Sequence, residues 1–303
     1  MRDADFAECP RCGIVIAKFQ RAHDEPHESA VDLSGVLHAT SAPTTRSNDS
    51  ALRPELIARA TALPFALLVA RIAVKTSPGL VRLFTMWVHE SGHATAAWLC
   101  GYPAWPGPWF TPVASERSPL FSVMLMGAMA YGGYRAWQVQ RWFWVVASAG
   151  TLLMTLFCTV VVGPVKAHQL IIFGGDAGCM VLGTVLMLTM YARRDHPVRE
   201  NHLRWALLLI GALAFMDAYI VWSGPIDGLP FGENENGLSD PSVLTEIYGW
   251  NVLRLINRYG ELAHACLAVL AIVYVTMLLL ERRDSRSFES SSGSVRRLTA
   301  GAR

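Results

Sequence analysis

The run His89-Glu90-Ser91-Gly92-His93 sits inside an apolar stretch, residues 80–100, whose one further charged residue is Arg82. On a helix, residues four apart share a face. His89 and His93 can therefore aim imidazole nitrogens at one metal ion, with Glu90 beside them for proton transfer. This is the spacing of a zinc hydrolase. On a soluble helix the same residues could equally be a solvated face. Inside hydrocarbon each ionisable group costs roughly 2.5–3.5 kcal/mol on insertion scales, so three within five residues need a compensating ligand or partner.

Two imidazoles and a water do not complete a catalytic zinc site, because a third protein ligand is normally required. Asp176, in Phe173-Gly174-Gly175-Asp176-Ala177-Gly178, is the one charged residue of the apolar stretch 170–191. At a rise of about 1.5 Å per residue, His93 and Asp176 both lie about 10 Å from the outer ends of their helices. The flanking glycines permit close helix approach. Asp217 lies at a similar depth, and is the rival third ligand or a carboxylate holding a ligand imidazole in its tautomer. His264, three residues after Glu261, copies half of a di-metal carboxylate motif, and His168 reads as a solvated residue at a helix boundary. Cys9 and Cys12 form a CxxC turn like one knuckle of a zinc ribbon, a candidate second zinc site that needs His23, His27 or a second subunit to complete it.

The elements that must carry these residues follow from hydropathy. The chain has 303 residues, 52% hydrophobic and 17% charged, the composition of a multi-pass membrane protein. A formal net charge of +2 gives no field that would attract nucleic acid. Apolar stretches at 80–100, 120–134, 142–162, 170–191, 203–222 and 262–280 give about six spanning helices in an all-α polytopic bundle. Residues 56–74 are interrupted by Arg59, Pro64 and Arg71 and could span, re-enter or lie at the interface. Basic residues cluster at Lys75/Arg82, Arg135/Arg141, Arg193/Arg194/Arg199/Arg204 and Arg282/Arg283/Arg286, all on one side of the membrane and, by the positive-inside rule, cytosolic. Six crossings then place both termini in the cytosol, in a cell-membrane protein whose first apolar segment does not cross. The first twenty residues lack the apolar core of a signal peptide.

The expected organisation is a CxxC zinc-ribbon-like segment at 1–27, a linker at 28–55, a transmembrane domain at 56–281 and a disordered basic tail at 282–303. A loop at 102–119, rich in Pro and Trp, is placed to cover or gate the site. Asp240-Pro241 reads as a helix cap with a proline in the first turn. It is followed by Leu244, Ile247, Leu255 and Ile256, expected to face the bilayer from a surface helix.

The motif His89-Glu90-Ser91-Gly92-His93-Ala94 resembles that of the site-2 protease family of intramembrane zinc metallopeptidases, whose HExxH lies in a transmembrane helix. The resemblance covers residues 80–191. It implies zinc as cofactor, Glu90 as catalytic base, and a third ligand from an aspartate on a later helix, carried here onto Asp176. The activity so implied is peptide-bond hydrolysis in a membrane-protein substrate within the lipid bilayer. The alternative from another class is a divalent-metal transporter, since intramembrane His, Asp and Glu also mark ion pathways.

Overall fold

In a computed structural model of the chain, the backbone is described for residues 46–300 except 193–195, 197, 199–201 and 235–236; side chains are described within 55–280 apart from those positions and 234. The CxxC segment with Cys9 and Cys12, and most of the 28–55 linker, lie outside the described residues. The chain divides after Leu52, and the bundle below belongs to the unit Arg53–Arg303.

Among the described residues seven long helices follow one another: α1 (Arg46–Thr76), α2 (Pro78–Leu99), α3 (Pro119–Gln138), α4 (Trp142–Val160), α5 (Pro164–Leu188), α6 (Leu203–Trp222) and α7 (Val252–Ala300). Pro78, Pro119 and Pro164 each open a helix, where a missing amide proton costs nothing and the fixed φ favours the first turn. Before α3, the Ser118 hydroxyl accepts from the Phe121 amide at 3.3 Å and caps it. Among the described residues the strands are a two-residue antiparallel pair, β1 (Glu233–Asn234) and β2 (Gly237–Leu238).

Among the described residues, five helical stretches are long and apolar enough to cross a membrane: Glu55–Thr76, Trp142–Val160, Pro164–Tyr191, Leu203–Trp222 and Val252–Leu280. Large apolar side chains such as Phe143, Val146 and Ile272 stand exposed on their outer faces, as lipid-facing residues do. The chain is an all-α, multi-pass membrane protein. Helices α2 and α3 were expected to span as well, but neither is among the five. The His-Glu-Ser-Gly-His run dilutes the hydropathy of α2, and Gly, Ser and Tyr dilute that of α3.

Neighbour contacts fix the run of the helices. Helix α2 lies antiparallel to α5, with Cys179 beside Thr85 and Gly178 beside Gly92. Helix α6 lies antiparallel to α5 through Gly183 and Gly211. Helices α3 and α4 form a hairpin in which the Ser148 hydroxyl donates to the Met129 carbonyl. One end of the bundle therefore collects the start of α2, the end of α5 and the start of α6, together with Lys75, Arg82 and Arg204.

Residues 55–60 of α1 lie at this basic end, and so does its C-terminal end. Here Arg59 donates to the Ala192 carbonyl, and Glu55 accepts a bidentate pair from buried Arg204 at 2.7 and 3.0 Å. Nearby, the Tyr274 hydroxyl donates to the Ala60 carbonyl. The far end of α1 joins α2 through Ser77 alone. Helix α1 thus runs across the ends of the other helices, with Leu63, Ala66, Ala70 and Val74 turned into the core. Of the three courses open to residues 56–74, length and composition permit a crossing.

Two boundaries differ from expectation. Helix α1 begins at Arg46, inside the stretch expected to be linker, and α7 continues to Ala300 through the stretch expected to be a disordered tail. Extending an existing helix costs far less than nucleating one, so polar residues next to an apolar helix are drawn into it.

Candidate metal centre

Helix α2 turns His89 and His93 toward α5, and the absence of side chains there lets the two backbones meet. A Cβ on Gly92 would collide with the Gly174 carbonyl and stand 2.7 Å from the Gly178 Cα. A Cβ on Gly175 would stand 2.6 Å from Nε2 of both His89 and His93. The glycines noted in the sequence as permitting close approach therefore also leave the space that the imidazoles use.

The Nδ1 atom of each imidazole is engaged from behind. His93 Nδ1 lies 2.7 Å from the Ile171 carbonyl oxygen, which can only accept, so this nitrogen carries the proton. His89 Nδ1 lies 3.1 Å from Asp176 Oδ1. The other Asp176 oxygen accepts from the Trp222 indole N–H at 2.7 Å. Trp222 in turn stacks on Tyr259 with ring centroids 4.0 Å apart, and the Tyr259 hydroxyl donates to the Phe173 carbonyl at 3.1 Å. An imidazole whose Nδ1 donates to a carboxylate or carbonyl presents a lone pair at Nε2, the usual state of a metal ligand. The two Nε2 atoms are 3.1 Å apart.

On the Nε2 side stands Asp240, whose place before Pro241 reads in the sequence as a helix cap. Asp240 Oδ2 is 3.1 Å from His89 Nε2 and 3.1 Å from His93 Nε2. It opens a single helical turn, Asp240–Ser242, that runs into a π-helical segment, Val243–Ile247. The cap position belongs to Ser239, which leaves the Asp240 side chain to face the imidazoles. The segment is drawn inward by Leu244 and Ser242, both fully buried, with the Ser242 hydroxyl accepting from the Gly232 amide at 2.8 Å. Leu244 and Leu255, expected to face the bilayer, are core residues; Ile247 is exposed.

The other expected ligands are placed differently. Asp176 meets His89 on its Nδ1 edge, the side away from His93. Cys179 shares that edge, within ligand distance of His89 and Asp176. Asp217 accepts from the Thr85 hydroxyl at 2.8 Å, one turn before His89 on α2. His264 and Glu261 are exposed on α7, with Glu261 paired to Arg258. His168 bonds the Pro164 carbonyl and sits edge-on to Tyr102.

Glu90 is buried at 4% exposure, and its carboxylate lies within ligand distance of both imidazoles. The loop after α2 folds back over it. An Ala104–Val113 bridge narrows the loop, and the Trp98 indole N–H donates to the Ala104 carbonyl at 2.9 Å. Thr111 then reaches Glu90, its hydroxyl 2.7 Å from Oε2 and 2.9 Å from the backbone oxygen. The Pro/Trp loop therefore covers the site, as expected, through a residue the sequence did not single out. Trp222 and Asp240 were also missed. Trp222 looks like any interfacial aromatic residue, and an Asp-Pro pair in a loop reads as a helix start.

The donor set suits zinc. Ligand atoms about 2.0–2.1 Å from a tetrahedral zinc stand about 3.3 Å from one another. Two imidazole nitrogens and a carboxylate oxygen, mutually 3.1 Å apart, come close to that. Comparison of the chain with models of known protein families, with curated proteins and with solved structures finds no match in any of the three.

Proposed function

We propose that this protein is a zinc-dependent intramembrane peptidase, similar in chemistry to the site-2 protease family, that hydrolyses peptide bonds of membrane-embedded substrates. The observation that carries this reading is the pair of Nε2 atoms 3.1 Å apart on a helix of a membrane bundle, with a buried glutamate next to the first of them. Zinc bound there would be held by His89, His93 and an aspartate, and would supply an acidified water and a polarised carbonyl. Glu90 takes the proton of the attacking water and passes it to the leaving nitrogen as the peptide bond breaks. Ile171 and Asp176 hold the imidazoles in the tautomer that binds metal.

Access limits the substrate. A carbonyl inside a helix is already bonded to an amide four residues on, so the scissile segment must unwind, and cleavage falls near helix-weakening residues or helix ends. The site lies nearer the end of the bundle opposite Lys75, Arg82 and Arg204. With the basic end cytosolic, as the positive-inside rule has it, both termini are cytosolic in a cell-membrane protein and the site opens toward the outer face. Ligand side chains gathered at one depth favour hydrolysis over the transport alternative, which needs donors at successive depths.

The test uses the full chain in liposomes with a transmembrane peptide carrying a Pro/Gly-weakened segment and a fluorophore–quencher pair. Cleavage that is lost on chelation and restored by zinc is expected. Cleavage indifferent to chelation would exclude the metal reading, and zinc flux into the liposomes without cleavage would establish transport. In the same assay Thr111→Val should lower kcat roughly ten- to hundredfold, since a hydrogen bond to a charged group contributes about 1.5–3 kcal/mol. Zinc content should not change, and Thr111→Ser should recover the rate. A Thr111→Val enzyme of normal kcat would show that the hydroxyl only anchors the loop to the Glu90 backbone.

A further inference from the structure

We infer that the third protein ligand of the metal is Asp240, delivered by the segment between α6 and α7, and that Asp176 is a positioning residue for His89. The inference rests on the zinc-site reading above and names its ligands.

Three observations select Asp240. The first is which edge of the imidazole each carboxylate meets. A metal shared by His89 and His93 must lie on the Nε2 side of both, because His93 Nδ1 is spent on the Ile171 carbonyl. Asp240 Oδ2 is on that side, 3.1 Å from each nitrogen, whereas Asp176 Oδ1 is 3.1 Å from His89 Nδ1. A five-membered ring directs the lone pairs of its two nitrogens far apart, so one ion cannot take His89 through Nε2 and also sit on the Asp176 side.

The second observation is that both Asp176 oxygens are engaged, one on His89 and the other on the Trp222 indole N–H at 2.7 Å. This is the arrangement of a carboxylate that fixes a ligand imidazole from behind. The third is that both Nε2 atoms and a carboxylate oxygen converge on one point at mutual distances of 3.1 Å, the arrangement in which a shared cation is held. With Asp240 included, the set is two nitrogens and one oxygen, which leaves one tetrahedral position for water or substrate.

The proposal separates the two aspartates by their effect on the metal, whatever the activity. Zinc content and zinc affinity, by competition with a chromophoric chelator, are measured on the purified full chain: wild type, Asp240→Asn, Asp176→Asn and His89→Ala. Asp240→Asn should lose zinc on gel filtration, with affinity down at least a thousandfold. Asp176→Asn should keep it, with affinity down ten- to a hundredfold, the usual cost of losing an imidazole-orienting carboxylate. Equal retention in Asp240→Asn and wild type, with loss in Asp176→Asn, would overturn the assignment.

A cobalt-loaded pair guards against misfolding. Asp240→Cys should gain the near-ultraviolet thiolate-to-cobalt charge-transfer band over the wild-type background, and Asp176→Cys should not. The reverse pattern, or no band in either, overturns the proposal. If His89→Ala also binds zinc like the wild type, the intramembrane metal site itself fails, which is a different outcome from a wrongly chosen aspartate.

Discussion

Glu90→Gln should reduce peptide hydrolysis by roughly 10²–10⁴-fold while one zinc per chain is retained in the bundle. Positioned proton transfer contributes about that much to a rate, and glutamine keeps the shape and the Thr111 contact while losing the basicity. The substitution is nearly isosteric at a buried site, so thermal stability in detergent should change little. Measured together, kcat and zinc content separate two roles. A drop in rate with metal in place makes Glu90 the proton carrier. Loss of zinc along with the rate would make it a ligand, a role its place within ligand distance of both imidazoles would permit. Unchanged hydrolysis would remove Glu90 from the mechanism.

Gly92→Ala should do comparable damage by an unrelated route. Its new methyl would be aimed at the Gly174 carbonyl and the Gly178 Cα, both backbone atoms that cannot rotate aside. Overpacking a tight contact costs about 1–3 kcal/mol, and an obstruction made of backbone puts this case at the upper end. Helices α2 and α5 would have to separate, taking His93 off the Ile171 carbonyl and His89 off Asp176. The expected result is a clear fall in the thermal unfolding midpoint in detergent together with loss of zinc. Gly127→Ala on α3, where a Cβ would meet nothing within 4 Å, is the matched control and should be neutral or slightly stabilising. If both alanine variants unfold at the wild-type temperature, the α2–α5 contact is looser than the structure has it.

The bundle was legible because hydropathy and helix length report directly on a bilayer, and the basic clusters report on which helix ends lie together. His89, Glu90 and His93 were legible because a four-residue spacing is itself a statement about geometry on a helix. Asp176 was found by depth, and depth is where that reasoning stops. It brings a carboxylate level with an imidazole but does not say which edge of the ring it will meet. Asp240 escaped because it lies between helices, where depth cannot be counted, and because Leu244 and Leu255 were assigned to lipid when they are core residues. An apolar periodicity is the same whether the face meets lipid or protein. Thr111 escaped because nothing local distinguishes one loop threonine from another.

The course of the chain through the site also has a consequence for biosynthesis. His89 and His93 lie on the second helix, Trp222 ends the sixth, and Asp240 follows it. A ribosome that has delivered only the first five helices has made the two imidazoles and Asp176, with neither the indole nor the second carboxylate that complete their surroundings. The half-made chain therefore passes through the insertion machinery, among other unfolded hydrophobic segments, without an assembled centre. Competence arrives only when the α6–α7 segment folds back onto helices already in place.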